Sequence, residues 1–216
     1  MTTGSETFVR AADQLRLDSK VKAVVLRVES PGGSITAADA MWRSLVRLAA
    51  VKPLIVSMGD VAASGGYYVA APGRLIFASP ETITGSIGVF YGKFDLSGLY
   101  EGLGVHKELY LRGARSAVMS DVHPWSDKER ATVQKNVDAL YELFLERVAS
   151  GRQHLSKKQV RPLAGGRVWT GNQAQSCGLV DRHGGFLEAI DTAAKLAGLD
   201  PNDIRYELKP APSGFG

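Results

Sequence analysis

The sequence predicts an α/β protein with a largely parallel sheet, flanking helices and a helical C-terminal appendage. Three observations lead there. Short apolar runs rich in β-branched residues alternate with amphipathic stretches through residues 5–125. Those runs are continuously apolar rather than alternating, as in strands covered on both faces. From residue 126 to 216 the pattern turns mainly helical. Strand–helix alternation of this kind favours parallel pairing through right-handed crossovers. Residues 1–216 are therefore expected to be one domain, with a 5–125 core and a 126–216 helical part.

Element by element, Val21–Val28 reads as a buried strand ended by Pro31-Gly32-Gly33. Ser34–Val51 follows as a helix, with Ile35, Ala38, Met41, Leu45 and Leu48 at three- and four-residue steps. Pro53 closes it, and Leu54–Ser57 is a second short strand. Gly59–Ala63 reads as a small-residue loop and Gly65–Ala71 as a tight helical segment ended by Pro72-Gly73. Leu75–Ala78, Ile83–Phe90 and Val105–Leu111 read as strands, and Leu96–Leu103 as a helix. Ser126 with Glu129 forms a capping-box signature for a helix over Ser126–Ser150. That helix carries Val133, Val137, Leu140, Tyr141, Phe144, Leu145 and Val148 on one stripe. Ser156 with Gln159 marks another capped start. Trp169-Thr170-Gly171 precedes a short helix to Cys177, and Gly185–Ala197 is the last helix before a Pro/Gly-rich tail.

The bulk numbers exclude several classes. At 216 residues, 44% hydrophobic and 22% charged, the chain resembles an ordinary globular domain. Cys177 is the single cysteine, so no intramolecular disulfide forms. One Cys and four scattered His lack the spacing of a zinc site, and no metal or other cofactor is expected. The net charge of +4 comes from interleaved acids and bases, which reads as a solvated face and not a nucleic-acid surface. No run approaches the ~20 apolar residues of a membrane-spanning helix. The first residues carry no apolar signal-peptide core, so the chain is expected to be soluble.

Chemistry concentrates at two glycine-rich turns that follow consecutive strands: Ser30-Pro31-Gly32-Gly33-Ser34 and Ala62-Ala63-Ser64-Gly65-Gly66-Tyr67-Tyr68. In a parallel sheet both lie at the carboxyl edge, where open α/β sheets build their sites. Acyl transfer needs a nucleophile held at a turn and backbone N–H donors aimed at a developing oxyanion. Ser64 between Ala63 and Gly65 suits the first role. The N–H of Gly65, with that of Gly32 or Gly33, suits the second. The plain alternative is a pair of tight turns with Ser64 as a helix cap. Neither turn is a Walker loop, because no Gly-Lys-Ser/Thr follows. The Gly-x-Ser-x-Gly elbow is absent too, since position 62 is Ala.

Four blocks together resemble the signal peptide peptidase A (protease IV) family of serine peptidases. They are Val21 to Ser34, Val56-Ser57-Met58-Gly59 through Tyr68, Thr84-Gly85-Ser86-Ile87-Gly88, and Val168-Trp169-Thr170-Gly171. Ala174 and Gly178-Leu179-Val180-Asp181 continue the order, and the likeness spans about residues 5 to 208. The resemblance implies a Clp/crotonase-like fold, a Ser–Lys dyad with Ser64 as nucleophile, and an oxyanion hole from Gly65 with Gly32 or Gly33. It implies cleavage of signal-peptide remnants or other extended peptides, homo-oligomers around a chamber, and association with the bacterial inner membrane.

One position departs from the family. Short members carry the general-base lysine in the segment matching Arg112-Gly113-Ala114-Arg115-Ser116, where this chain has Ser116. The long form divides the dyad between two tandem halves, lysine in the N-terminal one, and this chain resembles the C-terminal half. A partner half bearing the lysine is thus implied. Lys93 is the candidate substitute base within the chain, ahead of Lys107; Arg115 stays protonated and cannot serve. His106 is read as a strand-end histidine rather than a triad member, and His123, His154 and His183 take no assigned role. Two other classes stay open: an inactive peptide-binding scaffold, favoured by the missing lysine, and a crotonase-like acyl-CoA enzyme, which needs no Ser64.

Overall fold

In a computed structural model of the chain, residues 3–113, 115–200 and 203–209 are described. Ala114 and the end of the Pro/Gly-rich tail lie outside them. The chain divides into two compact units, one formed by residues up to Gly88 together with those from Leu143 on, the other by Val89–Glu142.

The first unit opens with α1 (Ser5–Leu17), β1 (Val24–Ser30) and α2 (Ile35–Ala49), then β2 (Leu54–Ala63), α3 (Gly65–Ala70), β3 (Leu75–Ala78) and β4 (Ile83–Gly85). The second unit holds α4 (Ser97–Gly102), and α5 (Asp127–Gly151) begins there. Past Leu143 follow α6 (Lys157–Val160), β5 (Val168–Thr170), α7 (Gly171–Ser176), β6 (Arg182–His183) and α8 (Phe186–Leu196). The six strands form one sheet in the order β5-β4-β2-β3-β6, with β1 also pairing with β2. Every pairing is parallel except β4 with β5. The mixed α/β, mostly parallel architecture expected from the alternating pattern is therefore present.

Strand β2 organises the sheet. Ile55–Ser57 pair with β3, whereas Val61–Ala63 pair with β4. Between these stretches the register with β1 shifts, Val28 facing Met58 but Ser30 facing Ala62. Such a bulge leaves N–H groups off the ladder. Here the Glu29 carboxylate accepts two of them, from Asp60 at 2.9 Å and Val61 at 3.0 Å. The expected Gly59–Ala63 loop is thus strand, kept in the sheet by an acid that no local pattern reveals. Ile55 and Phe77 form a core with Ala189 and Ala193 of α8, whose small side chains let the helix lie close. In α2 Trp42 is buried alongside Ala38, Leu45 and Leu48.

Three further sequence readings are corrected. Val105–Leu111 is not a strand: its residues are exposed, and a β-prone run without a neighbour to pair with forms no ladder. The strand expected over Ile83–Phe90 stops at Gly85, where Gly85 and Ser86 both take positive φ, 75° and 48°. The 126–216 part also contains two sheet strands, β5 and β6, too short for a periodic signal. Both helix-start signatures hold: Glu129 Oε2 accepts from the Ser126 N–H at 2.9 Å, and Gln159 Oε1 from the Ser156 N–H at 2.9 Å.

Candidate active site

β1 and β2 run parallel, so their ends at Ser30 and Ala63 lie at one edge of the sheet. Beyond β1, Gly32 and Gly33 adopt φ of 114° and 154°, conformations that favour glycine. Beyond β2, Ser64 has φ 51° and ψ −119°, a strained placement for a residue with a Cβ. Two backbone bonds hold it there: its N–H donates to Gly85 O at 2.9 Å, and its carbonyl accepts from the Tyr68 N–H at 2.9 Å. The Thr84 hydroxyl donates to Ala62 O at 2.7 Å and ties β4 beneath the turn. The Ser64 side chain makes no capping bond and, among the described residues, no other hydrogen bond, so the plain capping reading does not describe it.

The two turns interlock with little room for a side chain at Gly32, Gly65 or Gly66. A Cβ on Gly32 would lie 2.7 Å from Ser64 Cβ, 2.9 Å from Gly65 N and 3.1 Å from Ser64 Oγ. One on Gly65 would lie 3.2 Å from Gly33 N, and one on Gly66 2.7 Å from Ser30 O. The Gly32 N–H already donates to Ser30 Oγ at 3.1 Å. Among the described residues the N–H groups of Gly33 and Gly65 have no acceptor. The structure thus brings Ser64, Gly32, Gly33 and Gly65 together, with two unspent donors beside an unbonded hydroxyl.

Ser86 was not singled out as a site residue. It follows the carbonyl that accepts from Ser64, has φ 48°, and donates its N–H to Arg167 O at 2.8 Å. Its hydroxyl has no partner among the described residues. The available signal was its place in Thr84-Gly85-Ser86-Ile87-Gly88, and φ cannot be read from residue type.

The other candidates are held by their surroundings. Within the second unit, Lys93 Nζ donates to Ser120 O at 2.7 Å and His123 O at 2.8 Å, and stands 5.8 Å from the Trp125 ring centre. Lys107 donates to Asp121 at 2.8 Å and Tyr100 Oη at 2.6 Å, and the Asp121 carboxylate, then Tyr100, raise its pKa. Ser116 Oγ donates to Gly113 O at 2.8 Å. His106 lies in the exposed irregular segment, and His123 Nδ1 is 2.7 Å from Pro124 O. In the first unit His154 Nε2 is 2.9 Å from Gly178 O, and His183 lies in β6. Among the described residues no three His, Cys, Asp or Glu side chains cluster as metal ligands. No helix among them is long and apolar enough to cross a membrane.

Comparison with known proteins bears on the same residues. Peptidase family S49 matches residues 47–200, which take in Ser64 and the Thr84–Gly88 block. The chain belongs to peptidase family S49. Among its relatives, "Serine protease SPPA, chloroplastic" of Arabidopsis thaliana is 39% identical over 199 residues, 92% of this chain and 29% of that protein. "Protease 4" of Salmonella typhi is 39% identical over 207 residues, 94% of this chain and 33% of its own. "Putative signal peptide peptidase SppA" of Enterococcus faecium is 38% identical, over 97% of this chain and 61% of the relative. This S49 chain spans about a third of the first two relatives and under two thirds of the third. The resemblance read from the glycine-turn motifs is thereby established at the level of the family.

Proposed function

We propose that this chain is the serine-bearing catalytic domain, of Clp/crotonase-like fold, of an S49 endopeptidase. The observation that carries the reading is Ser64. Its strained backbone presents an unbonded hydroxyl, with the unpaired N–H groups of Gly33 and Gly65 at the adjoining turns. Ser64 Oγ attacks the scissile carbonyl as its proton passes to a general base. The new Oγ–C bond places negative charge on the former carbonyl oxygen, which the Gly33 and Gly65 N–H groups receive. Losing one such donor typically costs about 2.7–4 kcal/mol of transition-state stabilisation. The C–N bond then breaks, the amine leaves with the base's proton, and water releases the acyl group from Ser64.

The base is a lysine from a lysine-bearing N-terminal half, as in the long form of the family. A Ser–Lys dyad requires a neutral amine with a free lone pair. Lys93 points its protons at two carbonyls and Lys107 sits on a carboxylate, so both are poorly suited. Substrates are extended peptides such as signal-peptide remnants, bound as an added strand beside the glycine turns. Association with the bacterial inner membrane comes through the longer protein. Homo-oligomers are proposed too. Phe90, Phe94 and Tyr110 in Val89–Glu142 are 83–97% exposed and so are open to a neighbouring copy.

The test is intact-mass labelling with a fluorophosphonate, on the wild type and Ser64→Ala, from neutral to alkaline pH, with and without the lysine-bearing half. Stoichiometric labelling that needs Ser64 supports the reading. Labelling that never appears, even with the added half, leaves the second reading, an inactive peptide-binding scaffold. That reading is favoured by Ser116 standing where short members carry their lysine.

A further inference from the structure

The Asp39 carboxylate on α2 gathers three donors. Its Oδ1 accepts from the Tyr68 hydroxyl at 2.9 Å and Arg147 Nε at 3.0 Å, and its Oδ2 from Arg43 Nε at 2.7 Å. Arg147 comes from α5 and stacks its guanidinium over the Trp42 ring of α2 at 4.1 Å. The Tyr68 ring packs on Phe144 of α5, centroids 4.5 Å apart. The acid is largely covered, its side chain 15% exposed, and Tyr68 is wholly buried.

The places of these helices give the cluster its meaning. α2 leaves directly from the Gly32–Gly33 turn, and α3 directly from Ser64. Tyr68 stands one turn into α3 and donates its N–H to the Ser64 carbonyl. Among the described residues no hydrogen bond joins Pro31–Ser34 to Ser64–Gly66; the turns meet only through glycine contacts. Such contacts limit approach but resist sliding poorly, because the attraction between any one pair of atoms is weak. β1–β2 pairing fixes the turns from the sheet side. The Asp39–Tyr68 bond fixes them from the helix side.

Building on the reading of Ser64 as nucleophile, we propose that Asp39 is a positioning residue. Through Tyr68 it locks α2 against α3, and so keeps the Gly33 and Gly65 N–H groups in register beside Ser64. Arg147 and Arg43 keep the acceptor ionised and aimed.

The test compares Tyr68→Phe with Tyr67→Phe in this chain. Both remove one buried hydroxyl bond from α3, but the Tyr67 hydroxyl donates to Leu179 O at 2.8 Å and does not touch α2. Ser64 phosphonylation is followed in protein carrying the lysine-bearing half, and the Gly33 and Gly65 amide signals by NMR in the chain itself. Tyr68→Phe is expected to slow phosphonylation about tenfold, the scale of one lost hydrogen bond to a charged group, and to broaden or shift both glycine signals. Tyr67→Phe lowers the melting temperature comparably yet leaves labelling within about twofold, a difference below one ordinary hydrogen bond. Asp39→Ala reproduces Tyr68→Phe, and Asp39→Asn, which keeps an acceptor oxygen, restores most of the rate. Equal slowing by both tyrosine variants, or unmoved glycine signals in Tyr68→Phe and Asp39→Ala, overturns the proposal. A wild type that never labels defeats the nucleophile reading alone, since the glycine signals still report on the tether.

Discussion

Replacing Gly32 by Ala, beside the same change at Gly33, measures how tightly the two turns interlock. Both residues have φ between 20° and 160°, so both substitutions carry a backbone cost of about 1–3 kcal/mol. They differ in what the new methyl meets. At Gly33 nothing lies within 4 Å of it, whereas at Gly32 it falls 2.7 Å from Ser64 Cβ and 2.9 Å from Gly65 N. Neither obstacle is the end of a flexible side chain, so the turns must separate, at an overpacking cost of about 1–3 kcal/mol. Gly32→Ala should therefore melt about 2–12 °C below Gly33→Ala, at 2–4 °C per kcal/mol for a chain of this size. Calorimetry of the two variants measures the gap, and fluorophosphonate labelling should fall further in Gly32→Ala, where the methyl also presses on Ser64 Oγ. Equal melting temperatures would mean that the turns do not touch as closely as the geometry requires.

Other consequences can be checked with standard measurements. Arg152, 2% exposed, pairs with Asp181, which also accepts from the Ile76 N–H at 2.7 Å. Arg152→Met should cost up to about 3–5 kcal/mol in urea unfolding by leaving the partly covered Asp181 carboxylate without its cation, and Arg152→Met with Asp181→Asn should recover much of it. Burial raises the Asp39 pKa, but hydrogen bonds from Arg43, Tyr68 and Arg147 outweigh it and hold the carboxyl below its ordinary value. A lowered folded pKa contributes stability that is present above the unfolded value, near 3.9, and is lost as pH falls through the folded one. Asp39→Asn should thus lose stability at neutral pH and show a shallower acid limb in melting temperature against pH; an unchanged limb would show that the carboxylate is not held ionised. Thr170 caps α7 by accepting from the Gln173 N–H at 3.3 Å, so Thr170→Ala should cost about 0.5–2 kcal/mol by chemical denaturation.

Much of this candidate site is legible in the amino-acid order. Short apolar runs ending in glycine reveal strands because a strand buried on both faces must be apolar throughout, and glycine is what a tight turn above the sheet tolerates. That logic led to β1, to the start of β2, to α2, and to Ser64 with Gly32, Gly33 and Gly65. It failed where pairing, not composition, makes the element. Val105–Leu111 has strand composition but no partner, whereas Gly59–Ala63 looks like loop yet continues β2 because Glu29 caps its bulge. The sequence also could not choose between Gly32 and Gly33 as donor. Ser30 Oγ takes the Gly32 N–H and leaves that of Gly33 unpaired.

The α/β class, the family motifs and the residue types at the two turns are written in the amino-acid order, since they depend on local patterns of burial and backbone freedom. Long-range packing supplied the rest. It put Ser64 at positive φ, turned Lys93 onto the carbonyls of Ser120 and His123, and brought Asp39, Tyr68 and Arg147 into one cluster. The last of these joins positions 29 and 108 residues apart. Contacts over such separations exist only once helices have packed against the sheet, because closing loops of that length leaves no trace in the neighbouring sequence.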